Sequence, residues 1–326
     1  MPYAMHSWAP DLNTELTGWG TQQAVARIFD FQTFNIVNGA INWTNLDTLL
    51  ATFASHGKRV ILVLGNEGNG AGDPNDDGAQ KFLPWWQGGY STQIQTASSP
   101  PQVLTYRAYV SAIVTRYASN STIAMWQLVN EGRAINSDGS CTEATALAAE
   151  LAFANDVGGL IKSIDPNHLV SLGVTSGMCG SDNGDYQTLY ASPPIDVCDY
   201  HDYNYPYSPM GLTEPNNGLQ GTLNHCHADN KPLMVGETGI DWTSTPAYGQ
   251  PPISPNTLAE RATLLQDKVA AQFAAGIVGM CVWSWRNNPV PADGGDYGYE
   301  VGPGDSLKGF ERSGLLTWPR PSGTRT

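Results

Sequence analysis

The sequence predicts a (β/α)8 TIM barrel forming a single domain over residues 1–326, with irregular or missing first and eighth helices. Three observations predict it. Apolar, β-rich runs alternate with amphipathic stretches, which gives a parallel sheet with right-handed crossovers. Eight such runs fit into one chain of 326 residues, and that number favours closure into a barrel. An open doubly wound sheet would instead call for a GxGxxG turn after an early strand, and none stands there.

The first strand is expected at Tyr3 to Trp8 and the second at Val25 to Phe29. The stretch between them has no helical pattern. Trp43 to Ser55 carries Leu46, Leu49, Leu50 and Phe53 at helical spacing. Arg59 to Leu64 is a continuous apolar run, as for a strand buried on both faces. A Gly/Asp/Pro-rich loop runs from Gly65 to about Pro100, followed by a helix over Val103 to Tyr117. Strand four is Ile123 to Val129, and an Ala-rich helix covers Thr142 to Ile164 until Asp165-Pro166 stops it. Strands are expected at His168 to Val174, Ile195 to Tyr200, Leu233 to Val235 and Ile277 to Trp285. Helices are expected near Gly221 to Asp229 and over Thr257 to Ala275. Asn287 to Thr326 is rich in Gly, Pro and Asp and shows no convincing helix.

The formal net charge of −14 argues against nucleic acid and against anionic membrane surfaces as partners. No run of about twenty apolar residues marks a membrane span. No signal peptide is read, and the chain opens almost directly on the first strand, as a mature or trimmed protein would. None of the five cysteines has CxxC spacing, so a zinc or redox site is not expected. Cys141, Cys179, Cys198 and Cys226 fall in loops or at strand edges, whereas Cys281 lies in an apolar strand. The pairing read is Cys141–Cys179 and Cys198–Cys226 with Cys281 free, although four cysteines allow three pairings. Such disulfides imply an oxidising compartment and a secreted protein.

In a parallel barrel the functional groups sit where strands end at the C-terminal face. Arg27 lies inside the second strand, where an unpaired charge is costly. Later strands end in Gly65-Asn66-Glu67, Asn130-Glu131, His201-Asp202-Tyr203, Gly236-Glu237 and Trp283-Ser284-Trp285. Glu131 follows strand four and Glu237 strand seven, so the two face each other across the barrel mouth. Two facing carboxyls can cleave a glycosidic bond, one giving a proton and the other attacking or activating water.

These residues resemble clan A retaining glycoside hydrolases, most nearly family 5, with some likeness to family 39. The resemblance runs from about Val25 to Trp285. It implies Glu131 as acid/base and Glu237 as nucleophile. It also implies Arg27, Asn130, His201, Tyr203 and Trp283 around the sugar. Trp285 is a further substrate-binding candidate, and no metal or cofactor is expected. Two positions depart from the family pattern. Gly132 stands where Pro is usual, and Gly65-Asn66-Glu67 replaces a His-bearing end of strand three.

Burial and the Glu237 charge are expected to raise the Glu131 pKa, while Arg27 and the Tyr203 hydroxyl favour ionised Glu237. Trp8, Trp85, Trp86, Tyr205 and Trp285 are candidates for outer sugar subsites, with a loop anchor as the other reading of Trp85-Trp86. Arg27 also reads as a structural ion pair, His201 as a satisfied polar residue and Trp283 as core packing. Asp73 to Gly78 resembles the opening of a calcium loop but has Pro84 at the twelfth position, where a Glu is required. His225 and His227 point to different helix faces and do not read as a metal pair. Asn42-Trp43-Thr44 and Asn120-Ser121-Thr122 match the glycosylation pattern. The expected substrate is an oligo- or polysaccharide, a β-mannan or β-glucan cut internally by a monomer. Exo-trimming and a non-catalytic carbohydrate-binding barrel are the alternatives.

Overall fold

The computed structural model describes residues 2–4, 12–17, 19, 24–66, 82–96, 100–173, 185–203, 210, 218–240, 257–285, 299 and 301. In chain order the elements open with β1 (Pro2–Ala4), α1 (Leu12–Thr17), β2 (Val25–Phe29), the hairpin β3 (Ile36–Val37) and β4 (Ala40–Ile41), α2 (Thr44–Ser55) and β5 (Arg59–Val63). Next come a π-turn at Trp85–Gly89, α3 (Tyr90–Thr92), α4 (Tyr106–Tyr117), β6 (Ile123–Gln127), α5 (Glu143–Ile164), β7 (Leu169–Ser171) and α6 (Asp185–Tyr190). The last are β8 (Cys198–Asp202), α7 (Leu219–Ala228), β9 (Leu233–Thr238), α8 (Leu258–Ala275) and β10 (Gly279–Trp285).

The barrel strands form two four-stranded parallel arcs, β1-β10-β9-β8 and β2-β5-β6-β7. A parallel bridge between Ser171 and Val197 joins the arcs at one seam, and β1 lies against β2 at the other. This is the expected (β/α)8 arrangement. The first helix is present but short, six residues at Leu12–Thr17 in a stretch that lacks a helical pattern. It holds because Leu16 is buried and α1 rests against α2.

The helices form where the sequence supplies a stripe and a cap. In α2 the stripe is Leu46, Leu49, Leu50 and Phe53, all buried. The Thr257 hydroxyl accepts the Glu260 N–H at 3.2 Å to start α8, and Gly276 ends it at φ 117°. Helix α5 has the length and composition of a membrane span, but its buried face (Ala146, Phe153, Val157 and Ile161 among others) packs against α4 and α6. Helix α6 and the β3–β4 hairpin were not expected; both are too short to carry a periodic signal.

Alternation along the strands sorts the barrel interior into layers. The lowest is apolar, built from Val25, Ile61, Met125, Val197, Met234 and Cys281. Two residues further along their strands come Arg27, Gln127 and Asp199, a fully buried polar layer. Above it Phe29, Phe31, Val63 and Trp283 pack on one side of the mouth, and Glu131, His201 and Glu237 converge on the other. The outward strand faces meet the helices in the main apolar core.

Candidate active site

Arg27 organises the site from β2. Its guanidinium donates to three acceptors at 2.6 Å each: Nε to Gln127 Oε1, Nη1 to Glu237 Oε1 and Nη2 to Asn130 Oδ1. The planar fork therefore ties β2 to the ends of β6 and β9. Asn130 in turn donates to Asn66 Oδ1 at 3.0 Å, where the two residues bridge in parallel. Tyr203 donates its hydroxyl to Glu237 Oε2 at 2.8 Å, so both carboxylate oxygens are engaged.

Glu237 reaches the mouth through an irregularity. Tyr200 pairs with Val235 and His201 with Glu237, so β9 carries one extra residue, Gly236. A Cβ at Gly236 would lie 2.3 Å from Asp199 Oδ1, so glycine lets the Asp199 carboxylate sit beneath the reacting layer. Glu131 is set by a different device. Its backbone is left-handed at φ 51°, and its N–H donates to Gly173 O at 3.0 Å. Gly132 then packs so tightly on Trp86 that a Cβ would lie 2.5 Å from the indole.

Glu131, His201 and Glu237 bring a carboxylate oxygen, a ring nitrogen and a carboxylate oxygen within 4.8 Å of one another. His201 Nδ1 is 2.6 Å from Glu131 Oε1 and 3.5 Å from Glu237 Oε2. Burial disfavours the imidazolium, but the charge of Glu237, the Asp199 carboxyl facing the ring, and the hydrogen bond and charge of Glu131 overcome this and raise the His201 pKa to about 10. Burial also pushes Glu237 above the ordinary carboxylate range, against the pull of His201, Arg27 and the Tyr203 hydroxyl. For Glu131 the balance reverses. Burial raises it, but the hydrogen bond and charge of His201, with Arg27 and Arg133, hold it below its ordinary value. The expected rise at Glu131 is thus corrected, because its carboxylate is paired to the His201 imidazolium, which outweighs its burial.

Trp283 is partly buried, its ring centroid 5.9 Å from Phe29 along one wall of the mouth. Trp285 ends β10, and its side chain lies outside the described residues, as do Trp8, Tyr205, Glu67 and the Asp73 to Gly78 loop. Trp85 and Trp86 are not subsite residues: they are 2 % and 1 % exposed and pack against Phe153, so the anchor reading holds. Cys198 is bonded to Cys226 as expected, and Cys281 is free and buried. Cys141 is disulfide-bonded, and its expected partner Cys179 lies outside the described residues. Asp199 was missed as a separate site component; its signal is a third acidic residue two positions before His201, on the same strand face.

Comparison with known proteins gives a consistent picture. A family profile described as GH family 5 beta-mannosidase-like matches residues 102–223. Mannan endo-1,4-beta-mannosidase F of Aspergillus clavatus is 28 % identical over 241 residues, covering 71 % of this chain and 51 % of that protein. Mannan endo-1,4-beta-mannosidase A of Hypocrea jecorina is 26 % identical over 260 residues, covering 77 % and 52 %. The chain spans about half the length of the curated relatives it matches. Among solved structures, an endo-1,4-beta-D-mannanase from Thermotoga petrophila has a TM-score of 0.65 at 18 % identity, covering 96 % of this chain and 98 % of that one. An endo-1,4-beta-mannanase from Rhizomucor miehei gives 0.65 at 16 %, covering 96 % and 92 %.

Proposed function

We propose, from the premise that this chain is a relative of glycoside hydrolase family 5 in clan A, that it hydrolyses a β-mannan with retention of configuration. The observation that carries the reading is the approach of the Glu131 and Glu237 carboxylates to within 4.8 Å over one gap. That spacing suits direct attack by one carboxylate and leaves little room for a water between the two, as inversion needs.

Glu237, oriented by Arg27 and Tyr203, attacks the anomeric carbon. Glu131 gives its proton to the departing oxygen. The C–O bond breaks and a glycosyl–Glu237 ester forms. In the second half Glu131 takes a proton from water, whose oxygen attacks the same carbon and releases Glu237. Asn130, held by Arg27, is placed to hydrogen-bond a sugar hydroxyl, and Trp283 offers a flat apolar face to the ring. His201 holds Glu131 in place. The names of the curated relatives support mannan and internal cleavage. Secretion is part of the same reading, supported by the Cys198–Cys226 disulfide.

The test is hydrolysis of mannan and of a mannohexaose by the wild type and by Glu237→Ala and Glu131→Ala. Both variants should lose about three or more orders of magnitude in kcat/KM. Azide should rescue Glu131→Ala on an aryl glycoside with a good leaving group, giving a β-azide. Equal activity of Glu237→Ala and wild type would sink the nucleophile. The profile's description as beta-mannosidase-like favours a second reading, exo-action, which predicts that only mono- or disaccharide appears at early times.

A further inference from the structure

We propose that Asp199 is a positioning residue that keeps His201 cationic, so that the catalytic proton is stored on the His201–Glu131 pair. This rests on the reading of Glu131 as the acid.

Asp199 belongs to the buried layer beneath the reacting groups and is 0 % exposed. Its Oδ2 accepts from Gln127 Nε2 at 2.6 Å and stands 3.7 Å from His201 Nε2. Neither Asp199 Oδ1 nor His201 Nε2 has a hydrogen-bond partner among the described residues, and both atoms are buried. Such atoms are costly unless opposite charges face each other. The Asp199 carboxyl facing the Nε2 side of the ring meets that condition best when the ring carries the positive charge. Gly236 exists at the β9 bulge with room for this carboxylate and for nothing at its own Cβ.

Among the described residues, the charged groups around the ring are few. Glu131 faces Nδ1 from the segment after β6 at 2.6 Å, and Glu237 faces it from β9 at 3.5 Å. Asp199 faces Nε2 from β8 itself. Tyr203 gives its hydroxyl to Glu237, and Arg27 binds Glu237, Gln127 and Asn130. Ser171 of neighbouring β7 is not titratable. Among the described groups, Asp199 is therefore the charge on the ring's far side, and burial leaves it unscreened.

The proton then has a defined path. His201 Nδ1–H passes its proton to Glu131 Oε1 as substrate binds, leaving a neutral ring and a protonated acid. Glu131 delivers that proton to the leaving oxygen. In the second half Glu131 takes a proton from water and returns it to Nδ1. No group is oxidised, and the site ends as it began. The carboxylate found below its ordinary range at Glu131 and the imidazole found above its own are the resting form of this pair.

The experiment is an NMR titration of the His201 ring nitrogens, assigned with His201→Gln, beside pH profiles of kcat/KM. Wild-type His201 should stay cationic through about pH 8. In Asp199→Asn its midpoint should fall by about one pH unit or more, and the basic limb of kcat/KM should fall with it. Glu131→Gln/Glu237→Gln leaves Asp199 as the one carboxylate named above that faces the ring. There His201 should still titrate about one unit above its ordinary 6.5. A return to 6.5 in that double variant, or an unmoved midpoint in Asp199→Asn, overturns the proposal. The NMR readout does not need turnover, so failure of the hydrolase reading would show separately, as a wild type inert on every glycoside.

Discussion

The Arg27 guanidinium meets the Glu237 carboxylate at 2.6 Å with side-chain exposures of 0 % and 6 %, an ion pair closed to water at the top of the barrel. The same guanidinium also holds Gln127 and Asn130, so removing it strands three acceptors at once. Breaking a buried pair from one side costs about 3–5 kcal/mol. Arg27→Met should therefore lower the melting temperature and remove nearly all turnover. Arg27→Lys should fare little better, since an ammonium cannot reproduce the fork. Calorimetry and mannan hydrolysis on both variants check this, and Arg27→Lys at half of wild-type kcat would contradict it.

The Cys198–Cys226 bond ties the start of β8 to α7 across 28 residues of sequence. A loop of that length is worth about 3–4 kcal/mol when closed in the unfolded chain. Cys198 begins the strand and His201 lies three residues further along, toward the mouth. Removing this bond should thus cost stability and spare the chemistry. Thermal unfolding of the wild type and of Cys198→Ser/Cys226→Ser should differ by roughly 5–10 °C, while initial rates at 25 °C change little. Loss of activity at a temperature where the double variant stays folded would refute this separation.

The strands were readable because each is an apolar run closed by a polar residue, and the candidate site was readable because those polar residues are unusual. Arg27 inside Val25–Phe29 announces a buried partner, and Asn130-Glu131 and Glu237 close their runs where a barrel places its mouth. The polar layer was not readable. Asp199, His201 and Tyr203 alternate with Asp202, and Asp202 turns outward to Lys268 at 2.9 Å, so type alone does not say which acid faces the barrel axis. The face of Glu237 depends on the bulge at Gly236, and a slip of one residue reverses every side chain. The sequence leaves Trp85-Trp86 open between a sugar platform and a loop anchor. Its burial is decided by Phe153 and Tyr106, remote in sequence. The Glu131 pKa was misjudged for the same reason, since the 2.6 Å contact with His201 is a tertiary fact.

Asp30, at the end of β2, is buried with its carboxyl hydrogen-bonded to Asn35 and Tyr109. Burial pushes its pKa to about 7, against 3.8 for an ordinary Asp. The folded state therefore holds a proton that the unfolded state releases at lower pH. The resulting stability is complete below about pH 4 and is lost as pH rises through 7. Asp30→Asn removes this dependence. The variant should gain on wild type by about 1–3 kcal/mol between pH 5 and pH 8. Paired denaturation curves at the two pH values measure that gain, and an equal difference at both would show that Asp30 is ionised throughout.

Gly132 follows Glu131 directly, and a Cβ there would lie 2.5 Å from Trp86 Cζ2. Trp86 cannot retreat easily. Its Nε1 donates to Arg133 O at 2.9 Å, and its ring is locked on Phe153 at a centroid distance of 4.7 Å. In Gly132→Ala the backbone must yield instead, and Glu131 is already held in the left-handed region at φ 51°. The added methyl should therefore displace the Glu131 carboxyl. A shift near 1 Å at a reacting group costs about a hundredfold. Gly132→Ala should accordingly lose roughly 10- to 100-fold in kcat with KM changed less than about threefold. Trp86→Phe shortens the opposing ring, so Trp86→Phe/Gly132→Ala should recover part of the loss, and the two changes should not add. If each substitution acted only by loosening the fold, the double variant would be worse than either single one, and the seat of Gly132 on Trp86 would have no part in aiming Glu131.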